Sequence, residues 1–323
     1  MSVSLTAEQV AFLRETYASR LLEQEPLAAY TSVRIGGPAD FLLKVESAEE
    51  LEAAARKAWS AGISFRLIGG GCNLLVSDRG ARGLVILNRA RQVDLIEDES
   101  GCRLRAESGA TMGIAARKAV KNGWGGLEWA ATVPGSIGGA VVNNAGAFGG
   151  SMQADLILAE ILQQDGRAVE AWTSSQMAYA YRKSALKRNP GPVVLAAELA
   201  VQPSTPEECK RKMDAFLARR KETQPPGASM GSTFMNPQGD FAGRLLEAAG
   251  LKGSKSGPVE VSTVHANFIL NTGGGRAAEV LDLVRRMKTA VAKKFGVVLQ
   301  LEIELFGDWE QKDLMSLEVA VEG

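Results

Sequence analysis

The residues best suited to chemistry lie in two glycine-rich stretches, 67–76 and 129–149. Backbone N–H groups approach a ligand closely where no Cβ intervenes, and successive N–H groups form a concave anion site. In the second stretch Pro134 pre-sets a turn, Ser136 adds a hydroxyl donor, and Asn143 and Asn144 add amide donors. One such loop is typical of a surface turn or a tight packing corner. Two in one chain favour a large anionic ligand held from two sides.

Composition excludes several classes of protein. The 323 residues suit two or three domains, and Lys+Arg and Asp+Glu are equal at 37 each. That balance argues against a nucleic-acid or membrane-surface protein. No apolar run is long enough to span a bilayer, and the N-terminal residues lack a signal-peptide pattern. We therefore expect a cytoplasmic protein with no obligate protein partner.

The metal-binding residue types are sparse. The three cysteines, Cys72, Cys102 and Cys209, are far apart and form neither a disulfide framework nor a metal cluster. A histidine-based metal site or a Ser-His-Asp triad would depend entirely on His265. The sequence therefore predicts no metal centre.

Local patterns predict an α+β fold. Strand-rich segments dominate as far as Pro203, where the pattern changes and we expect a domain boundary. An Asp165-Gly166 pair predicts the turn of a β-hairpin. Ser108 is the expected cap of a helix at 111–121, and two short strands are expected within 31–45. Further helices are predicted at 6–22, 47–61, 177–184, 203–221, 241–249 and 277–295, with a last strand at 297–306.

Several motifs, in this order, resemble the UDP-N-acetylenolpyruvoylglucosamine reductases. Each is weak or moderate by itself, but their order and spacing are specific and cover about residues 31–307. The motifs are Ser32-Val-Arg-Ile-Gly-Gly-Pro-Ala39, Gly69-Gly-Gly-Cys-Asn-Leu-Leu75, Val133-Pro-Gly-Ser-Ile-Gly-Gly-Ala140, Asn144-Ala-Gly-Ala-Phe-Gly149, Tyr181-Arg-Lys-Ser184, Gly231-Ser-Thr-Phe-Met-Asn-Pro237, His265-Ala-Asn-Phe-Ile-Leu-Asn271 and Leu301-Glu-Ile-Glu304.

The resemblance implies a fold and a division into domains. An FAD-binding region of the vanillyl-alcohol oxidase (PCMH) type, made of two α/β subdomains, is expected at 31–202 with a split near residue 90. An N-terminal helical extension would occupy 1–30, and a C-terminal α/β substrate domain 203–323. The chain between Ser184 and Pro203 is too short for the extra loop of type I enzymes, so it looks like the type II branch.

The resemblance also implies an activity. NADPH would reduce non-covalently bound FAD. The reduced flavin would then reduce the enolpyruvyl group of a sugar nucleotide, giving UDP-N-acetylmuramate for peptidoglycan synthesis. The residues implied to bind FAD are Gly69, Gly70, Gly71, Cys72, Asn73, Leu74, Pro134, Gly135, Ser136, Gly138, Gly139, Asn144 and Gly146.

Three residues match the family's catalytic positions. Arg182 would stabilise the substrate carboxylate, because a planar and permanently charged guanidinium suits growing negative charge. Ser232 would protonate the enolate carbon, although a serine in Gly-Ser-Thr is by itself more typical of a turn. Glu302 would act beside Arg182 and should have a raised pKa. Periodicity does not separate Glu302 from Glu304, since alternate strand residues share a face.

Substrate contacts are implied at Asn236, Lys252 and His265, where an exposed lysine and a structural histidine are the alternatives. Met235 stands where the family usually has lysine, and Cys72 where it has serine or threonine. Of Arg219 and Arg220, one is expected near FAD, but the sequence does not say which. Two other functions stay open: an FAD-dependent oxidase of the same fold acting on another small substrate, and a non-catalytic flavin- or nucleotide-binding protein.

Overall fold

The computed structural model describes residues 4–99, 101–164 and 168–318. In these ranges no helix is both long and apolar enough to cross a membrane. The α-helices are α1 (Ala7–Tyr17), α2 (Ala48–Ser60), α3 (Met112–Lys121), α4 (Ile137–Asn143), α5 (Met152–Asp155), α6 (Ala185–Arg188), α7 (Pro206–Thr223), α8 (Ala242–Ala248), α9 (Ala277–Phe295) and α10 (Gln311–Met315). The strands are β1 (Leu21–Pro26), β2 (Pro38–Val45), β3 (Phe65–Ile68), β4 (Leu74–Val76), β5 (Ala81–Asn88), β6 (Val93–Asp98), β7 (Gly101–Glu107), β8 (Trp124–Gly125), β9 (Gly146–Ala147), β10 (Gly150–Ser151), β11 (Leu156–Leu162), β12 (Val169–Thr173), β13 (Val193–Ala200), β14 (Gln202–Pro203), β15 (Ala228–Ser232), β16 (Lys255–Ser256), β17 (Val259–Val261), β18 (Phe268–Asn271) and β19 (Glu304–Phe306).

The first sheet has the strand order β1-β2-β5-β3. Strands β2, β5 and β3 are parallel, and β1 is antiparallel to β2. Alternate residues of β5 belong to two different cores, Leu84 and Ile86 to one and Val85 and Leu87 to the other. A central parallel strand buried on both faces reads as a continuous apolar run, as this one does.

The second sheet is antiparallel, with the order β12-β11-β13-β7-β6. Its core includes residues of α3 and α4. Helix α4 begins in the second glycine-rich stretch, where the Ser136 hydroxyl accepts a weak hydrogen bond of 3.4 Å from the Gly139 N–H. The helix therefore carries that stretch on the face of the second sheet.

The third sheet is antiparallel, with the order β15-β18-β17-β16, and its core includes residues of α8 and α9. After α9 the chain leaves this sheet and returns to the first glycine-rich stretch. Strand β19 pairs in parallel with β4, and the side-chain amide of Asn73 donates to the Glu302 carbonyl at 3.0 Å. The C-terminal segment thus lies directly beside the first glycine loop.

Several sequence predictions of local structure hold, and several are wrong. Helices α2, α3, α7, α8 and α9 lie within about three residues of the predicted segments. The predicted helix 6–22 ends at Tyr17, because the following residues pair with β2 as β1. Residues 31–45 contain one strand, β2, instead of two. Only the last three residues of the strand predicted at 297–306 form β19, where β4 supplies a partner.

Two helix predictions need correction for a different reason. Thr111, not Ser108, caps α3; the Ser108 hydroxyl instead accepts from the buried Asn88 amide at 2.7 Å. The segment 177–184, predicted as a helix, forms turns, and Ser184 caps the short α6 that follows. Ser108 is engaged by a tertiary contact, whereas Ser184 caps α6 locally and also donates to the Val142 carbonyl at 2.6 Å.

The domain division at Pro203 stays a prediction. Helix α7, which follows it, packs through Cys209 and Met213 against Val120 of α3 in a small separate apolar cluster. The predicted Asp165-Gly166 turn lies outside the described residues, although the strands on either side of it, β11 and β12, pair antiparallel.

Candidate active site

The two glycine-rich stretches meet each other. A Cβ at Gly69 would collide with the Ser136 hydroxyl, and a Cβ at Gly70 would lie 2.8 Å from the Gly135 Cα. Gly71 has a φ of +62°, and a Cβ there would collide with the Tyr30 carbonyl. Glycine is required at these positions because each lies too close to a neighbouring segment for a side chain to fit. The structure therefore places the two loops side by side.

Two half-buried arginines lie at the first glycine loop. Arg89 donates through Nη1 to the Gly69 carbonyl at 2.6 Å. Burial lowers the pKa of both Arg89 and Arg220, and each guanidinium interacts electrostatically with Cys72. Within the described residues neither forms an ion pair with a carboxylate. This excess positive charge beside the loops fits an anion such as a diphosphate.

The structure distinguishes the two neighbouring arginines of α7. Arg220 faces Cys72, whereas Arg219 lies with its guanidinium 5.6 Å from the centre of the Phe148 ring. Arg89 was not identified from the sequence. Its position in the sequence could have predicted its place in the site. Arg89 directly follows β5, a buried strand that pairs with β3, and β3 leads into the first glycine loop.

Other predicted loop residues have contacts of their own. The Cys72 thiol donates to the Gly70 carbonyl at 3.2 Å, and burial raises its pKa, so the group is a thiol at neutral pH. Leu74 begins β4. The Gly146 carbonyl lies 3.5 Å from Nη1 of Arg182, and the Asn144 amide is hydrogen-bonded on both of its ends.

Arg182 sits at the tip of a tight turn. Ala180 and Lys183 exchange two backbone hydrogen bonds of 3.1 Å and 3.0 Å, leaving Tyr181 and Arg182 between them. Arg182 has a φ of +56°, a conformation uncommon for a non-glycine residue. Such strain persists only where surrounding structure over-determines the conformation, and it clusters at functional sites.

An ion pair joins this turn to the C-terminal segment. Arg182 Nε lies 2.6 Å from Glu302 Oε1, and both side chains are largely buried, at 23% and 16% exposed. Burial raises the pKa of Glu302, while Arg182 and Lys187 offset part of the rise. Glu304 is more exposed and pairs instead with Lys187, at 3.2 Å. The fold thereby separates the two glutamates that sequence periodicity leaves equivalent.

Ser232 is the last residue of β15, next to a register shift between Ser229 and Ser232 in its pairing with β18. Gly231, with a φ of +75°, makes the irregularity possible. The carbonyl of Thr233 accepts from the Glu302 N–H at 2.9 Å. Ser232 is therefore one residue from the backbone bond that holds Glu302 in place.

A cleft of about 290 Å³ lies between the Arg182 turn and residues 235–237 and 298–300. Its lining residues are Ala180, Tyr181, Lys183, Met235, Asn236, Pro237, Val298 and Gln300. Among the predicted substrate contacts, Asn236 lines the cleft, and its side-chain oxygen accepts from the Ala242 N–H at 3.0 Å. Met235, in the place of the usual lysine, also lines it.

Lys252 and His265 do not line this cleft. Lys252 pairs with Glu247 at 2.8 Å. His265 accepts at Nδ1 from the Asn267 N–H at 3.2 Å and packs edge-on against Phe268. Burial and the nearby Lys252 lower its pKa, so the imidazole is neutral at pH 7. A substrate role for either residue stays a prediction.

Comparisons with known proteins match both the N-terminal and the C-terminal parts of the chain. A family model described as an FAD binding domain matches residues 39–171, and one described as the UDP-N-acetylenolpyruvoylglucosamine reductase C-terminal domain matches residues 222–306. A UDP-N-acetylenolpyruvoylglucosamine reductase of Chloroflexus aurantiacus is 44% identical over 88% of this chain and 97% of its own length. The UDP-N-acetylenolpyruvoylglucosamine reductase of Rubrobacter xylanophilus is 43% identical over 88% of this chain and 94% of its own length.

The fold also matches a solved structure. The UDP-N-acetylenolpyruvylglucosamine reductase of Thermus caldophilus superposes with a TM-score of 0.74 and 36% identity, covering 88% of this chain and 98% of that one. This match and the FAD-binding-domain match confirm the predicted α+β fold with its FAD-binding region. The identity over nearly the full length of these relatives shows that the chain belongs to the family of UDP-N-acetylenolpyruvoylglucosamine reductases.

Proposed function

We propose that this chain catalyses the NADPH-dependent reduction of UDP-N-acetyl-3-O-(1-carboxyvinyl)glucosamine to UDP-N-acetylmuramate in the cytoplasm. The observation that carries the proposal is the largely buried Arg182–Glu302 pair, at 2.6 Å, on segments that also contact the two glycine loops. Arg182 supplies a cation that can bind the substrate carboxylate, and Glu302 supplies a carboxyl group beside that cation.

The residues present fit FAD. Its diphosphate suits the two closely packed glycine loops and the arginines Arg89 and Arg220, which form no ion pair with a carboxylate in the described ranges. When bound, FAD supplies the redox chemistry, taking a hydride from NADPH and passing one to the vinyl carbon. The remaining steps belong to side chains of this chain.

Arg182 binds and stabilises the substrate carboxylate in this proposal. Glu302 lies at the Nε edge of the guanidinium, and the Gly146 carbonyl is a distant neighbour of Nη1 at 3.5 Å. In the proposal, the remaining donor capacity of the terminal nitrogens is assigned to the substrate carboxylate. Fixing a planar donor before the substrate arrives avoids reorganisation when negative charge grows on the carboxylate. The left-handed backbone of Arg182 further restricts where the guanidinium points.

Ser232 donates the proton to the enolate carbon. A serine hydroxyl is a poor acid in water, so it depends on a partly desolvated position next to other donors. Ser232 is partly buried, and its strand is bonded to the Glu302 backbone through Thr233. This arrangement supports the assignment.

A direct test follows the flavin spectrum of the purified protein. We expect a yellow protein that bleaches with NADPH under anaerobic conditions and recovers its colour when the enolpyruvyl sugar nucleotide is added. A protein that binds no flavin would overturn the interpretation of the glycine loops. One that bleaches but recovers its colour only with oxygen would be an oxidase and would contradict the proposed substrate.

Ser232→Ala tests the proposed acid. Flavin reduction by NADPH should stay intact, while reoxidation by the enolpyruvyl substrate falls by about 10²- to 10⁴-fold, the usual range for general acid catalysis. The control is Ser229→Ala, a serine of the same strand outside the proposed role. Equal loss of both half-reactions in Ser232→Ala would contradict the assignment.

A further inference from the structure

The turn that carries Arg182 is attached to the C-terminal end of α4 by side chains on both sides of the tip. Tyr179 donates its hydroxyl to the Val141 carbonyl at 2.9 Å, and Ser184 donates to the Val142 carbonyl at 2.6 Å. The last carbonyls of a helix have no partner within the helix. The two hydroxyl groups therefore satisfy carbonyls that would otherwise be unpaired, and they fix the flanks of the turn.

Asn144 makes the contact nearest to the tip. Its side-chain Nδ2 donates to the Ala180 carbonyl at 3.0 Å, and its Oδ1 accepts from the Gln153 N–H at 3.0 Å. One neighbour is an acceptor and the other a donor, so the orientation of the amide is determined. The Ala180 carbonyl is also the one that closes the turn by accepting from Lys183 N–H.

The position of Asn144 depends on the second glycine stretch. It ends α4 in the left-handed conformation, with φ 47° and ψ 57°, and is only 8% exposed. Asparagine tolerates this backbone better than most residues. Its amide thus connects α4 with the turn that carries Arg182 at its tip.

We propose that Asn144 is a positioning residue for Arg182: it holds the turn so that the guanidinium meets both Glu302 and the substrate carboxylate. This rests on the proposed function of Arg182. The neighbouring Asn143 acts on the opposite side of the ion pair. Its Oδ1 accepts from Lys187 Nζ at 2.5 Å, and Lys187 pairs with Glu304, two residues beyond Glu302. The end of α4 therefore contacts the Arg182 segment directly and is linked to the Glu302 segment through Lys187.

The test compares Asn144→Asp with wild type. Aspartate has the same shape, also tolerates the left-handed backbone and still accepts from Gln153, but it cannot donate to the Ala180 carbonyl. The family resemblance implies a place for Asn144 at the FAD site, but both ends of its amide are bonded within this chain. We therefore expect flavin content and flavin reduction by NADPH to be unchanged. The kcat for the enolpyruvyl substrate should fall about tenfold to a hundredfold, because small displacements of a positioned group cost that much. Asn144→Gly, which keeps the backbone conformation, should give a similar loss.

Asn122→Asp is the matched control. Asn122 also ends a helix, and its Nδ2 donates to the Lys118 carbonyl at 2.8 Å, but on an exposed surface. It should match wild type in both half-reactions. If Asn144→Asp behaves like this control, the proposal is wrong. If Asn144→Asp loses flavin, Asn144 acts on the cofactor and the positioning role is likewise overturned.

A measurement on the flavin-free protein, which needs no catalysis, tests this inference separately from the proposed function. The Arg182 Nε–H resonance, identified by its loss in Arg182→Lys, reports the ion pair with Glu302 in proton–nitrogen spectra of the flavin-free chain. We expect it to shift or broaden in Asn144→Asp and to stay in place in Asn122→Asp. An unchanged resonance would contradict the inference. Failure of wild type to turn over the enolpyruvyl substrate would contradict the function alone.

Discussion

The arginines at the two ends of the site differ in their partners. Arg89 and Arg220, at the first glycine loop, form no ion pair with a carboxylate among the described residues, whereas Arg182 lies 2.6 Å from Glu302. An arginine without such a partner leaves net positive charge at its position, which suits an anion that stays bound. An arginine paired with a carboxylate is nearly neutral as a unit, which suits an anionic substrate that must leave after each turnover.

The difference also concerns geometry. Arg89 is held by the backbone carbonyl of Gly69, so its position depends on the loop itself. Arg182 is held by a strained turn, by α4 and by a glutamate from the far end of the chain. Both ends of the site combine distant segments, but only the catalytic end adds a strained turn and an ion pair with a carboxylate.

The largest expected effect is that of Arg182→Ala. Reoxidation of the reduced flavin by the enolpyruvyl substrate should fall by about 10²- to 10³-fold, as for the loss of one preorganised donor to a growing anion. Flavin affinity should be unchanged. Anaerobic stopped-flow spectroscopy of each half-reaction measures this. A variant that loses flavin binding in parallel would abolish the distinction between the two ends of the site.

Arg220→Met should affect the opposite property. It removes the charge but keeps much of the apolar stem, and we expect FAD affinity to fall about tenfold to a hundredfold, the value of one charge-assisted hydrogen bond. The catalytic rate per bound flavin should stay close to wild type. Titration of the flavin-free protein by fluorescence measures the affinity. Arg219→Met is the control, and an equal loss there would show that the two arginines do not differ.

The smallest expected effect concerns how the free energy of unfolding depends on pH. The contributions of Glu302 and Asp240 should change in opposite directions as the pH changes. Burial raises the pKa of Glu302, so folded Glu302 holds its proton more tightly than the unfolded chain. Its contribution to the free energy of unfolding is therefore lost as the pH rises above the ordinary value of 4.5. The advantage of wild type over Glu302→Gln should decline as the pH rises above 4.5.

Asp240 gives the opposite case. Its pairing with Arg244 and the Phe241 N–H lower its pKa to about 2. The stabilising contribution of Asp240 to the free energy of unfolding is present above pH 3.8, the ordinary pKa of an aspartate, and is lost as the pH falls toward 2. Urea unfolding of Asp240→Asn and Glu302→Gln beside wild type, across the acidic range, measures both. Parallel pH trends for the two variants would contradict the burial assigned to Glu302.

The sequence predicts a structural element of this protein when interactions between residues close in the chain determine it, and fails when contacts between distant segments do. Helix α2 was predictable because Ser47 and the apolar spacing of Leu51, Ala55 and Ala58 act within a few residues. The segment 177–184 was not, because its turns are fixed by hydroxyl groups bonded to the end of α4. Periodicity did not separate Glu302 from Glu304, since both lie on the same face of any strand, and the choice of Glu302 rested on the family resemblance.

The sequence by itself determined the two glycine loops, the order of the family motifs and hence the family and fold, because these are properties of residue type and spacing. Only the tertiary structure decided that Arg182 meets Glu302, that Arg220 and not Arg219 faces the first loop, and that Arg89 belongs to the same site. The physical reason is that burial and ion pairing depend on which distant segments pack together, and no local period encodes that.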